Sequence, residues 1–396
     1  MMDRRHLWTI LVLAMWVSPA RAYELDYGRR GLQVDFESIP LELRAGGRLH
    51  LDFGGIDEDL TPQNDQFKVR RGRIYLSGKA FEDWSFKVEH DFAPKKNGWR
   101  NIWLGYAFDK KTSVRLGNFV APFGLEDVAA SNYSTFLERA VSSAIAPSYQ
   151  TGLGVRTRGR VKHEYGSARW TAAAMGYVEP LLDADAARHR SKHYGFATRL
   201  TVAPFSAPRR LLHLGASFEY RDIRRGRRYK ISSRPESSLA QTLFSTGRLR
   251  NVDEVVSFGA EAATVLGPFS AQAEYMRAML DRKNRKDPDF DGWYVQASWV
   301  VTGETRRYGR GSGAFRGVNP KRSFGALELA LRYSSLDLVD GGVIGGKTND
   351  FTAGVNWYLL RNVRLMFNYV HVDSKQRRTQ LNDDPDVFQG RFLVFF

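Results

Sequence analysis

The stretch VFQGRFLVFF, residues 387–396, decides how the rest of the chain is read. Phe388, Gly390, Phe392, Val394 and Phe396 share one parity, while Gln389 and Arg391 fall on the other. Because successive side chains of a strand point to opposite faces, this is a period-2 strand with an apolar outer face. A soluble protein has little reason to finish on an exposed Phe-Phe pair, since termini fray and wet. In a closed transmembrane barrel the last strand pairs with the first, and its end sits in the aromatic girdle. Those ten residues also suit an edge strand of a soluble sandwich, so the choice rests on the segments before them.

Working outward, units of about ten alternating residues, each followed by a turn or loop, recur from residue 43 onward. Sixteen such segments are expected: 44–54, 67–78, 83–92, 99–108, 112–118, 151–163, 167–178, 193–203, 211–221, 254–266, 268–280, 290–302, 324–336, 349–359, 362–373 and 387–396. In the third, Trp84, Phe86, Val88, His90 and Phe92 alternate with Ser85, Lys87, Glu89 and Asp91. In the twelfth, Trp293, Val295, Ala297, Trp299 and Val301 alternate with Tyr294, Gln296, Ser298 and Thr302. In the thirteenth, Leu327, Leu329, Leu331 and Tyr333 alternate with Glu328, Arg332 and Ser334. Alternation alone also suits a sandwich, in which the polar parity faces out. The connections separate the two. Gaps at 79–82, 109–111, 164–166, 204–210, 267 and 360–361 are tight, with one exception at 303–323. Those at 55–66, 93–98, 119–150, 179–192, 222–253, 281–289, 337–348 and 374–386 are longer. Turns on one rim and loops on the other is the asymmetry of an outer-membrane barrel, and Greek-key crossings would not keep that beat over so many strands. The expected fold is all-β: a transmembrane antiparallel barrel of sixteen strands over residues 43–396.

The N-terminus agrees on the compartment. Asp3, Arg4 and Arg5 precede an apolar run at 7–17, and Ser18-Pro19-Ala20-Arg21-Ala22 ends in an Ala-x-Ala signature. Residues 1–22 therefore read as a secretory signal peptide cleaved after Ala22. Residues 23–42 are expected to form a short periplasmic N-terminal segment. No other apolar run reaches the roughly eighteen residues that a transmembrane helix needs. The chain has no cysteine, which removes disulfides, thiolate metal sites and thiol nucleophiles together. Its formal charge of +16 at pH 7 implies anionic partners.

The sixth segment is the most informative. Arg156, Arg158, Arg160 and Lys162 share one parity, and Val155, Thr157, Gly159 and Val161 share the other. Same-side neighbours on a strand stand roughly 7 Å apart, so the four cations form a rail along one wall. Little in folding rewards four like charges in a row unless water and counter-anions fill the enclosed space. On a soluble sheet the same row would be an ordinary solvated face. Arg71 and Arg73 share a parity with Tyr75, and Arg70 is expected between strand and rim. After the ninth segment come Arg221, Arg224, Arg225, Arg227, Arg228, Lys230 and Arg234 against the single acid Asp222. Folded inward, that loop would bring guanidinium forks, which suit phosphate and carboxylate oxygens, toward a constriction. Folded outward, it would clamp lipopolysaccharide phosphates. Glu89, Asp91, Glu261, Glu274 and Glu328 also sit on lumen parities, where they would brace the arginines and limit anion preference.

Six motifs carry a resemblance: APFGLE at 121–126, TFLER at 135–139, VTGE at 301–304, GALELALRYSSLDL at 325–338, GVNWY at 354–358 and FNYVHV at 367–372. In their order and spacing they resemble the phosphate-selective porin O and P family over essentially the whole chain after residue 22. The resemblance implies a sixteen-stranded trimeric outer-membrane barrel whose third extracellular loop, here 119–150, bends inward to form the constriction. It implies Glu138 and Arg139 near the narrowest point, with Asn132 and Tyr133 in the same loop, and it implies that 222–253 and 303–323 also fold into the pore. Arg70 and Arg71 match the family's paired arginines of strand two. Ser85 stands where phosphate-selective members carry a lysine, with Lys87 two residues on. Asn132 replaces another lysine and Asn101 an aspartate, and these departures weaken a tight phosphate site.

The function expected is passive diffusion with anion preference, for phosphate, polyphosphate, chloride or other small anions, along Arg70, Arg71, Arg73, Lys87, Arg139, the Arg156–Lys162 rail, Arg224, Arg225, Arg227 and Arg228. A broad porin without a tight phosphate site is the nearest alternative. A barrel lipase or protease would need a nucleophile with a His partner. Among eight histidines no triad spacing is found, and His163-Glu164 lacks the second His of a zinc-protease motif. The glycine-rich GRGSGAFRG at 309–317 does not follow a strand or open a helix, which makes it weak as a phosphate cradle. A barrel that binds at the cell surface without conducting is the third reading. Outer-membrane lipid, lipopolysaccharide, a barrel-assembly machinery that reads Phe396, and two further copies of the chain are the expected partners. No nucleic acid, cofactor or metal is expected.

Overall fold

The computed structural model describes residues 23–28, 31–36, 40–57, 59, 66–94, 98–164, 166–178, 193–223, 228–309, 311–375 and 383–396. Sixteen strands follow one another round a closed sheet. They are Leu41–Asp57 (β1), Gln66–Ala80 (β2), Trp84–Asp91 (β3), Trp99–Ala107 (β4), Ser113–Val120 (β5), Tyr149–His163 (β6), Gly166–Val178 (β7) and Tyr194–Ala207 (β8). Then come Arg210–Asp222 (β9), Val252–Leu266 (β10), Phe269–Arg282 (β11), Asp289–Val300 (β12), Ala326–Asp340 (β13), Val343–Tyr358 (β14), Val363–Lys375 (β15) and Asp386–Phe395 (β16). Each is antiparallel to the next, and β16 pairs back onto β1 from Asp386↔Asp57 to Phe395↔Arg48. Closure matters because hydrocarbon offers nothing to bond an open edge, and each unsatisfied backbone group there costs several kcal/mol.

Parity works as the sequence pattern requires. Trp293, Val295 and Trp299 on β12 are exposed on the outer wall, whereas Tyr294, Gln296 and Ser298 are buried inside. Outward aromatics meet across strands, as in the stacked Phe269–Trp299 pair at 5.8 Å. The expected signal peptide, residues 1–22, lies outside the described residues. Residues Tyr23–Gly28 and Gly31–Phe36 form a hairpin whose second strand pairs with the start of β1, Leu32↔Ala45 to Phe36↔Leu41. The segment ahead of the barrel thus extends the wall at the short-turn rim.

Two expectations about connections are corrected. Residues 337–348 are not a long loop: β13 and β14 continue to a two-residue turn at Gly341-Gly342. Both glycines have positive φ, 56° and 79°, as the tightest hairpin turns require. The strands continue because Leu338 and Val343 join an apolar cluster with Leu243, Phe244 and Leu249 of the loop 223–251. Arg70, expected between strand and rim, lies within β2. There the register slips between His50 and Leu51, which pair with Arg71 and Val69, and Arg70 is the extra residue. A β-bulge re-aims side chains, so consecutive Arg70 and Arg71 both line the same cavity.

Chain segments fill the barrel, and part of their packing is an apolar cluster that joins Phe123, Val141 and Ile145 to Val255, Met276 and Phe290 of the wall. Residues 121–148 enter from the long-loop rim and cross to the far wall, where Leu125 N and Glu126 N donate to the Glu274 carboxylate of β11. Farther along, Asn356 of β14 donates to Thr135 O at 2.8 Å. The loop 223–251 follows them in, and Gln389 of β16 donates to Glu236 O at 2.9 Å. From the opposite rim 301–325 rises into the lumen, so that Arg199 of β8 donates to Ser312 O and Gly313 O at 3.1 and 2.7 Å. Arg306 reaches Thr135 Oγ1, which joins the upper and lower segments. These segments pack on the wall from β8 to β16 and leave space beside β1 to β7.

Candidate functional site: a cation-lined passage

That space is a cavity of about 490 Å³. Nine arginines and Lys87 line it, against two acids, Glu89 and Asp127. The positions follow from strand parity: Arg71 and Arg73 on β2, Lys87 on β3, Arg115 on β5 and Arg156 on β6 all face the lumen, with Arg70 added by the bulge.

Carboxylates hold several of these cations in place. Arg73 meets Asp91 at 2.7 Å and Glu89 at 3.0 Å, and Lys87 meets Glu89 at 2.5 Å while its ammonium lies 4.3 Å from the Tyr75 ring centroid. Arg70 grips Glu138 with Nε and Nη2 at 2.8 and 2.9 Å. Arg139 pairs with Asp127 at 2.5 Å. Others have no acid: among the described residues no ion pair involves Arg115 or Arg156, and Arg115 rests on the Trp103 ring at 4.2 Å. Among the described residues the buried Nε atoms of Arg48, Arg71 and Arg100 have no hydrogen-bond partner, which is costly for a guanidinium N–H.

Behind the passage a second set of arginines anchors the inward segments. Arg391 of β16 holds Asp52 at 2.6 Å and Glu138 at 2.8 Å. Arg332 of β13 binds Glu236 of the loop 223–251 and stacks on Phe136 at 4.4 Å. Arg199 binds Glu261 at 2.5 Å, and His213 shares that carboxylate at 2.8 Å.

Residues 43–396 match the family model described as phosphate-selective porin O and P. The chain belongs to that family. The porin is 27% identical over 412 residues to Porin O of Pseudomonas aeruginosa, with 92% of this chain and 91% of that one covered. It is also 27% identical to an uncharacterized protein of Caulobacter vibrioides, covering 89% and 72% of the two chains. Among solved structures, a loop L8 deletion mutant of OmpT from Vibrio cholerae aligns with TM-score 0.56 at 13% identity, over 89% of this chain and 99% of that one. An anion-selective porin from Comamonas acidovorans aligns with TM-score 0.55 at 12% identity, over 89% and 100%. At such identities the likeness shows the fold, sixteen strands closed into a barrel. Family membership makes the porin a channel protein of the bacterial outer membrane.

Within the porin the expected residues divide. Arg70, Arg71, Arg73, Lys87, Arg139 and Arg156 come together round the cavity. Farther along the β6 rail Arg158 donates to Lys110 O at 3.0 Å and borders a second cavity, and Arg160 and Lys162 are exposed toward the short-turn rim. Glu138 joins β2 to β16, as described. Asn132 Oδ1 lies 3.2 Å from His50 Nε2, and Tyr133 packs edge-on against Phe395 at 5.9 Å. Arg224, Arg225 and Arg227 lie outside the described residues.

The basic loop requires a correction. Its 231–246 portion folds inward, but Glu236, Ser237 and Ser238 lead it, and of the loop's arginines the described Arg228 and Arg234 are exposed. Arg228 lies in a two-residue strand pair with Leu249–Arg250. Arg332 and Arg391 already occupy the wall that the loop meets, so an acidic tip is what that wall can bind. Of the five lumen acids, Glu89, Asp91 and Glu261 brace arginines, and Glu328 lies 3.7 Å from Arg306. Glu274 instead accepts backbone N–H groups at the start of the short helix Leu125–Val128. Sequence reasoning missed Arg48, Arg100, Arg115 and Arg199 as lining residues. For Arg48, Arg115 and Arg199 the signal was lumen parity on strands already recognised; Arg100 shares the outward parity of Leu104 and faces the cavity only because the register slips between Trp99 and Ile102.

Proposed function

We propose that the porin is a passive diffusion channel that prefers small anions. The observation that supports this most directly is the excess of cations over acids round the cavity beside the inward loop. Guanidinium groups held by acids or aromatic faces keep donors aimed at water, raise the local anion concentration and lower the entrance barrier. Arg70, Arg71, Arg73, Lys87, Arg139 and Arg156 would form the upper path, with Arg158, Arg160 and Lys162 continuing it toward the periplasm. Porin O and the anion-selective Comamonas porin bear names that agree with this reading.

A broad anion preference, without a tight phosphate site, is the second reading. Ser85, Asn101 and Asn132 favour it; Asn101 donates to Glu89 at 3.2 Å instead of adding another carboxylate. Catalysis has no part in this function. A trimeric assembly, lipopolysaccharide contacts, recognition of Phe396 during assembly and signal cleavage after Ala22 complete the proposal.

Reversal potentials in planar bilayers under a potassium chloride gradient test it. Chloride should permeate several-fold better than potassium, and a cation preference would overturn the reading. Replacing Arg156, Arg158 and Arg160 together with Gln should lower the chloride-to-potassium ratio several-fold while heat stability is kept, because the change relieves like-charge repulsion on one strand face. An unchanged ratio would remove the rail from the path.

A further inference from the structure

The two walls of the cavity differ in kind. One carries the guanidinium groups of β1 to β6. The other is the first half of loop 121–148, whose acids are all turned to other tasks: Glu126 accepts from Ala140 N at 3.0 Å, Asp127 pairs with Arg139, and Glu138 bridges Arg70 and Arg391. Glu126 and Asp127 are only 5% and 4% exposed. Asp127, Ser131, Arg139 and Ser148 of the loop also reach the cavity, but the run Val128, Ala129 and Ala130, with Pro122 and with Ala173 of β7, gives it one apolar stretch. The cavity volume equals about sixteen water molecules at liquid density, far more than the five heavy atoms of a phosphate ion fill.

A bare oxyanion against the 128–130 stretch loses hydration on that side and gains no side-chain donor from it. An anion with an apolar body behaves oppositely: its charged end meets arginines while its body covers apolar surface, the usual composition of small-molecule sites. Arg115 and Arg156, on neighbouring strands and without ion-pair partners among the described residues, line the same cavity. We propose that the passage selects organic anions, a phosphonate- or carboxylate-type group on an apolar body, over inorganic phosphate. This rests on the anion-channel reading and names its substrate class.

The test uses full-length porin in planar bilayers, with chloride current blocked by inorganic phosphate, methylphosphonate or phenylphosphonate at one pH where all three carry similar charge. Half-block by phenylphosphonate is expected at a concentration at least tenfold below that for methylphosphonate or phosphate. Equal block by the three, or strongest block by phosphate, overturns the proposal and leaves an anion channel standing. A cation-preferring reversal potential in the same membranes overturns the channel reading itself. In a Val128→Asn, Ala129→Ser variant the phenyl-to-methyl ratio should fall toward one; because the ratio is taken within one variant, a general change in anion affinity cancels. A ratio that stays tenfold there overturns the assignment to this wall, and the wild-type ratio stands as a test even if the variant does not assemble.

Discussion

Glu138 sits between Arg70 and Arg391, two guanidinium groups that belong to opposite ends of the sheet and meet only because β1 lies between β2 and β16. Burial alone would raise its carboxyl, but Arg70, Arg391 and Arg71 outweigh that and hold it well below the ordinary carboxylate range. A depressed carboxylate contributes stability that is fully present above its unfolded value and is lost only as pH falls through the lowered folded value. Wild-type conductance should therefore hold from pH 7 to about pH 5 and change only in stronger acid. Glu138→Gln leaves the buried Arg391 and the partly exposed Arg70 short of a partner, and breaking a fully buried pair typically costs about 3–5 kcal/mol. Arg391 keeps Asp52, so about 3 kcal/mol is expected, read as a lower unfolding temperature in detergent and as larger, noisier single-channel steps. Arg391 was legible as a lumen residue from parity alone. Its partner was not, because 253 positions separate the two and no local pattern links them.

Period-2 patterning is local, so strands were the readable elements, and misreadings arose where a strand departs from period 2 or leaves the membrane. At Arg70 a single extra residue inverts parity, and the pattern cannot register that without the partner strand. At 337–348 the mixture of Asp and Gly resembles a loop, yet the hairpin persists because Leu338 and Val343 are covered by the loop 223–251. The turn that allows it needs left-handed backbone at both Gly341 and Gly342. At Gly342, where an added Cβ meets nothing within 4 Å, Gly342→Val should cost about 1–2 kcal/mol, the penalty of a side chain in that region. Gly342→Asn should cost much less, since Asn tolerates the same conformation. Thermal unfolding of the two variants side by side checks this; equal losses would mean that bulk, not backbone conformation, governs the site. The inward course of 121–148 and 301–325 was implied by family resemblance, whereas the acidic lead of the loop 223–251 depends on Arg332 and Arg391 across the lumen and had no sequence signal of its own.

At the scale of the molecule the lumen is divided in two. Segments from both rims meet at Thr135 and Arg306 on the β8–β16 side, so the proposed ion path runs along the β1–β7 side, where cations predominate. Confinement brings the permeating ion within a few ångströms of low-dielectric wall, and the field of many partly neutralised arginines then adds to that of the unpaired ones. Such a field reaches about 10 Å at 0.1 M salt and about 3 Å at 1 M. If distributed charge sets selectivity, the chloride-to-potassium ratio should fall several-fold as potassium chloride rises from 0.1 to 1 M, and conductance should rise less than in proportion to salt. If instead a few direct contacts select the ion, screening has little room to act and the ratio should stay constant. Reversal potentials at fixed gradient and increasing mean salt decide between the two. The cavity geometry favours the first outcome, because nine arginines and Lys87, contributed by several strands and by the inward loop, line it, so the charge that acts is spread along the wall and not gathered at one point.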